Sequence, residues 1–105
     1  MEAVDRLHEY FLPRTSILAE RRRLFQSQQS VGQTATEWAC MVRRMVDKCK
    51  FPAEYVEQAM RDVFIFGIQH KGIAERLMDI DIDNLNFANA QSRAETMERA
   101  RRDVG

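Results

Sequence analysis

Apolar residues recur at helical spacing along most of this chain, and no stretch shows the strict alternation of a half-buried strand. The clearest segment is QSVGQTATEWACMVRRMV, residues 29–46. Gly32 supplies a turn, Thr34 follows it, and Glu37 lies three positions beyond Thr34. That spacing is a capping box, in which hydroxyl and carboxylate satisfy backbone donors that a first helical turn leaves unpaired. Trp38, Met41, Val42, Met45, Val46 and Cys49 then share one face, which predicts a core helix over 34–49 with a defined start.

The flanking segments read the same way. Val4, Leu7 and Phe11 predict a short helix over 2–11, stopped by Pro13. Ser16 caps a second helix whose apolar positions are Ile17, Leu18, Leu24 and Phe25, with Arg21, Arg22 and Arg23 between them. Phe51-Pro52 precedes a helix over 53–67, Pro52 standing in its first turn, where a missing N–H costs nothing. Val56, Ala59, Met60, Val63 and Phe64 form its inner face and Gly67 its C-cap. Ile73, Leu77 and Met78 mark a short helix over 72–79; Asn86 caps a last one over 86–102, with Phe87, Ala90, Ala94 and Met97 as its seam. The expected fold is all-α, a compact bundle of five to six helices.

Composition narrows the function more than the fold. A chain of 105 residues makes one domain, and 45% hydrophobic with 30% charged residues suits a soluble domain with a modest core. Sixteen basic and sixteen acidic residues cancel, which argues against nucleic-acid binding carried by phosphate contacts. Cys40 and Cys49, nine residues apart on one helix, are separated by roughly 13 Å of axial rise, out of disulfide reach. Neither belongs to a zinc spacing. With free thiols, no apolar run of membrane length and no signal peptide, the expectation is a cytoplasmic, soluble protein without a metal or cofactor.

A longer-range pattern runs through these elements. Glu20-Arg21, Leu24, Gln29, Gly32-Gln33, Trp38 and Cys49 with Phe51 are followed by RDVFIFGI at 61–68, ERLM at 75–78, and Ala90, Ala94 and Glu98. In this order the chain resembles the C-terminal capsid domain of Gag polyproteins from gypsy-type long-terminal-repeat retrotransposons, and the C-lobe of the neuronal protein Arc. The match spans residues 10–102. The resemblance implies that residues 1–13 are the end of an N-terminal capsid domain or a linker helix, and that 14–105 are the capsid C-terminal domain. It implies that 29–46 is similar to the major homology region of retroviral capsids, with Gln29, Gln33, Trp38 and Val42 as its core. There the family's Gln, Glu and Arg form a buried network; here the Glu position is Gln33 and the Arg position falls on Met41.

On the helix over 53–67, Val56, Met60, Val63 and Gly67 form one stripe, while Tyr55, Ala59, Asp62 and Phe66 form another about 100° round the axis. That is more apolar width than one core needs. The corresponding helix of related capsids forms a two-fold contact, so Tyr55, Ala59, Met60 and Phe66 are expected at a homodimer interface. The alternative is that the first helix covers this stripe within the same chain.

Other features carry less. DIDIDN at 79–84 has acidic residues at the first, third and fifth positions of a calcium loop, but Asn84 and Ala90 stand where Gly and Glu are needed, so it reads as a solvated turn. Arg21–Arg23 and Arg99, Arg101 and Arg102 have acidic neighbours and no interleaved aromatic platform, so they read as solvated faces rather than RNA contacts. His8 and His70 have no nucleophile at an informative spacing, and Cys49 reads as a small core residue; no catalysis is expected. The expected function is therefore structural: homodimerisation and, with the N-terminal capsid domain of the same polyprotein, assembly of a capsid-like particle, with neither nucleic acid nor membrane bound directly. The alternatives are a domesticated, Arc-like adaptor or regulatory module that uses the same fold to bind a cellular protein, and a generic helical regulatory domain without capsid ancestry.

Overall fold

Trp38, Phe64, Leu24, Leu77, Val42 and Cys49 are the largest side chains sealed completely from solvent, and the helices are arranged around them. A computed structural model of the protein describes residues 17–104. Helix α1 covers residues 17–26, α2 Ala35–Lys48, α3 Ala53–Phe66 and α4 Lys71–Met78; a 3-10 turn, Ile82–Asn84, leads into α5, Phe87–Val104. No strand occurs among the described residues, and the fold is all-α. The helix expected over 2–11, the Ser16 cap and the boundary near residue 13 lie outside them.

The capping box opens α2 as its spacing requires. Glu37 N donates to Thr34 Oγ1 at 3.1 Å, and Thr34 N donates to Glu37 Oε1 at 2.9 Å. Gly32, at φ +84°, supplies the left-handed residue that the preceding turn needs. The other end of α2 is closed by a residue from another helix. Arg21 Nε donates to Cys49 O at 2.8 Å and Arg21 Nη2 to Lys50 O at 3.1 Å, with the guanidinium 4.8 Å from the centre of the Phe51 ring. Arg21 is thus a clamp on the carbonyl end of α2, where a cation is favoured, and not part of a solvated face. Arg22 and Arg23 are exposed, Arg23 pairing with Glu20 at 3.0 Å.

Side chains cap the starts of α4 and α5. His70 Nδ1 accepts from Ile73 N at 3.3 Å, so α4 begins at Lys71. Asn86 Oδ1 accepts from Asn89 N at 2.7 Å, as its position predicts, and Glu57 of α3 accepts from Phe87 N at 2.8 Å. Pro52 is the N-cap of α3, one place outside the first turn. In the acidic run, Asp81 Oδ1 accepts from Asp83 N, which closes the 3-10 turn locally.

Helix α2 lies antiparallel to both α1 and α3. Arg21 meets Cys49 while Ser27 Oγ donates to Met45 Sδ, and Trp38 Nε1 donates to Phe64 O at 2.9 Å. Helix α5 crosses the assembly along its apolar seam: Phe87, Ala90 and Ala94 are buried, and the Phe87 ring stands edge-on to Phe64 with centroids 5.8 Å apart. Gly67 is the C-cap of α3, but its φ of −92° is ordinary. The reason for glycine is close approach: a Cβ there would lie 2.3 Å from Trp38 Cζ2 and 3.1 Å from Ser27 O. The apolar positions of α1 and α4 are only partly used. Leu24 is sealed, but Leu18 and Phe25 remain 69% and 59% exposed, and Met78 is 52% exposed.

Candidate interaction surface

Two regions gather the residues singled out in the sequence. The first is a closed corner where the chain before α2, the α3–α4 link and α5 meet. Gln29, 7% exposed, holds it together. Its Nε2 donates to Gln33 O at 2.7 Å and to Glu98 Oε2 at 2.9 Å; its Oε1 accepts from Gln69 N at 3.0 Å; its backbone N–H donates to Gly67 O at 2.7 Å. Glu98 uses its other oxygen to accept from Ala35 N at 2.9 Å, so one carboxylate of α5 serves both the bracket and the positive end of α2. Among the described residues no buried side-chain nitrogen or oxygen lacks a partner.

Trp38 and Val42 are sealed in this corner and the turn beyond it. Gln33 plays a smaller part: its Oε1 accepts from Ser30 N at 2.9 Å, closing the turn, while its Nε2 sits 3.8 Å from Met41 Sδ. The carboxylate of the network comes from Glu98. Its sequence signal lies in register: Glu98 falls in line with Phe87, Ala90 and Ala94, a charge at the end of an otherwise apolar stripe. One turn earlier Glu95 accepts from Thr36 Oγ1 at 2.6 Å and from Gln91 Nε2 at 3.0 Å. Those two bonds hold its carboxyl below the ordinary value of 4.5 against a smaller opposing effect of burial, with Arg99 helping.

The second region is an open aromatic edge. Phe25 and Phe51 lie 6.2 Å apart between ring centres, and Phe51 meets Tyr55 edge-on at 5.0 Å. Phe66, 70% exposed, stands further along α3. Positions 55 and 66 differ by eleven residues, about 20° of rotation and some 16 Å of rise, so they share one flank. Asp62, half-buried and paired with Arg61 at 2.9 Å, lies between them.

The four residues expected at a dimer contact therefore separate. Tyr55 and Phe66 lie on this flank. Ala59 lies within about 40° of both by rotation, but its small side chain is fully buried within the chain and offers no surface to a partner. Met60 is about 140° round the helix from Tyr55 and lines a shallow hollow between α2 and α3 with Val46 and Val56. Phe25 and Phe51 complete the edge instead. The apolar width of α3 was legible, but not which part of it faces inward, because that depends on where the other helices approach.

The remaining chemistry is quiet. Cys49 is buried and donates its Sγ–H to Met45 O at 3.2 Å. Burial raises the thiol above its ordinary value, the nearby Glu20 carboxylate adds to this, and Arg21 partly offsets it. Cys40 is exposed. Among the described residues no cluster of three or more His, Cys, Asp or Glu is placed to hold a metal ion, and no helix is long and apolar enough to cross a membrane. Comparison with protein-family models, curated proteins and solved structures finds no match.

Proposed function

We propose that this chain is a self-associating structural domain of the Gag capsid type, which pairs with a second copy through the flank bearing Tyr55 and Phe66 and, with an N-terminal capsid domain of the same polyprotein, builds a shell in the cytoplasm. The observation that carries this reading is the aromatic edge. Phe25 and Phe66 leave more than half of their surface in water. Aromatic rings bury large areas at little entropic cost on association and favour offset or edge-on packing, which a two-fold axis can repeat symmetrically.

Two further observations support it. The fold is all-α, as the resemblance implies. Gln29, the polar residue that keeps its place in the homology-like segment, is the centre of the buried bracket. The mechanism is binding alone. Each contact can be weak, because many copies held in one array raise the effective concentration of the next. Electron microscopy of the full polypeptide that carries this domain is the test. Closed particles are expected, and they should be lost when Tyr55→Ala and Phe66→Ala are introduced together. A soluble, particle-free polypeptide would contradict shell building, and capture of a defined cellular protein by that same flank would favour the adaptor reading.

A further inference from the structure

We propose that a second copy of this chain inserts its α4 tip into the groove between α4 and α5, a head-to-tail contact that uses no residue of the aromatic edge. The contact extends the self-association reading to another surface and rests on it. The groove has an apolar lining of Ile73, Met97 and Ala100 and one exposed guanidinium from each wall, Arg76 on α4 and Arg101 on α5. The tip has the opposite character. Met78 and Ile82 are 52% and 63% exposed, and the exposed Asp79, Asp81 and Asp83 flank them in sequence. Among the described residues the ion pairs are Arg23–Glu20 and Arg61–Asp62, so neither the guanidinium groups of the groove nor the carboxylates of the tip are neutralised within that part of the chain.

Apolar side chains interleaved with acid thus match an apolar hollow flanked by base. One molecule cannot satisfy both halves. Met78 follows Arg76 by two residues, about 200° round α4, so tip and groove face opposite ways. A surface and its complement on opposite flanks make a heterologous contact, which closes into a ring or runs on as a filament. Exposed ion pairs contribute little individually and are screened by salt, so the contact should be weak and favoured at low ionic strength.

The test is a charge exchange in the Tyr55→Ala/Phe66→Ala background, which removes the aromatic edge. One variant carries Arg76→Glu and Arg101→Glu, the other Asp79→Lys and Asp83→Lys. By sedimentation at low salt the background protein should associate, each variant alone should be monomeric, and an equimolar mixture should associate at least tenfold more tightly than either. Adding Met78→Ala and Ile82→Ala to both should abolish association of the mixture. A background protein that is monomeric at low salt overturns the proposal, as does a mixture that gains nothing. A mixture that still associates without Met78 and Ile82 also overturns it, since attraction between net charges would then suffice. Wild-type association that vanishes in the background protein leaves the aromatic edge standing and removes only the head-to-tail contact; a wild type that does not associate at all removes both.

Discussion

Phe66 and Gly67 are neighbours in sequence and belong to opposite regions. Gly67 sits in the closed corner, its missing side chain leaving room for the Trp38 ring and its carbonyl accepting from Gln29. Phe66 points the largest apolar surface of α3 into water. The corner meets its apolar and polar requirements within one chain, so its residues act on stability. The edge leaves apolar area unsatisfied, so its residues act on association. The contrast separates two kinds of apolar position that look alike in a helical stripe.

Substitution at the two neighbours should break the comparison most visibly. Gly67→Ala places a methyl against the Trp38 ring and should cost about 3 kcal/mol, the upper end of ordinary overpacking, read as a lower denaturant midpoint. Phe66→Ala removes more atoms yet should change stability by no more than about 0.5 kcal/mol. Similar losses at both positions would show that Phe66 is part of the core.

A smaller effect is expected at the polar bracket. Glu98→Ala orphans the donors at Ala35 and Gln29 and should cost about 1–3 kcal/mol, the range for a buried group left unpaired. Gln29→Ala should cost a similar amount, and the double variant less than the sum, because the two side chains share one bond. Strict additivity would mean that Gln29 and Glu98 act separately.

The bracket's neighbour should report through pH. The Glu95 carboxyl is held below its ordinary value, chiefly by the Thr36 hydroxyl, so its contribution is present above the unfolded-state value and lost as pH falls through the lower folded-state value. Thr36→Val should therefore be mildly destabilising at neutral pH, by no more than about 1.5 kcal/mol, and the difference from wild type should shrink on acidification below pH 4.5. Thermal unfolding of both proteins across that range checks it. A difference that grows on acidification would contradict the assignment.

How much of this was legible in the sequence depended on distance along the chain. Thr34 with Glu37, Gly32, and Asn86 act within a few residues, and their spacing alone predicted what they do. Trp38, Val42, Ala90 and Ala94 were legible because a buried stripe needs no knowledge of its partner. The roles of Glu98 and Arg21 were not, although both positions stand in the longer-range pattern: their partners lie 69 and 28 residues away, and a charged residue looks solvated until the helix end it serves is brought to it. Ala59 failed for a related reason. Small and apolar, it suits a contact surface or a core equally, and only the approach of the neighbouring helices decides.

Sedimentation equilibrium of the wild-type chain over a wide concentration range, at physiological salt, bears most directly on the aromatic edge. A reversible monomer–dimer equilibrium is expected, which Tyr55→Ala with Phe66→Ala shifts to monomer while helicity is unchanged. A wild type that stays monomeric at the highest concentration, or a double variant that dimerises as well as wild type, would contradict it.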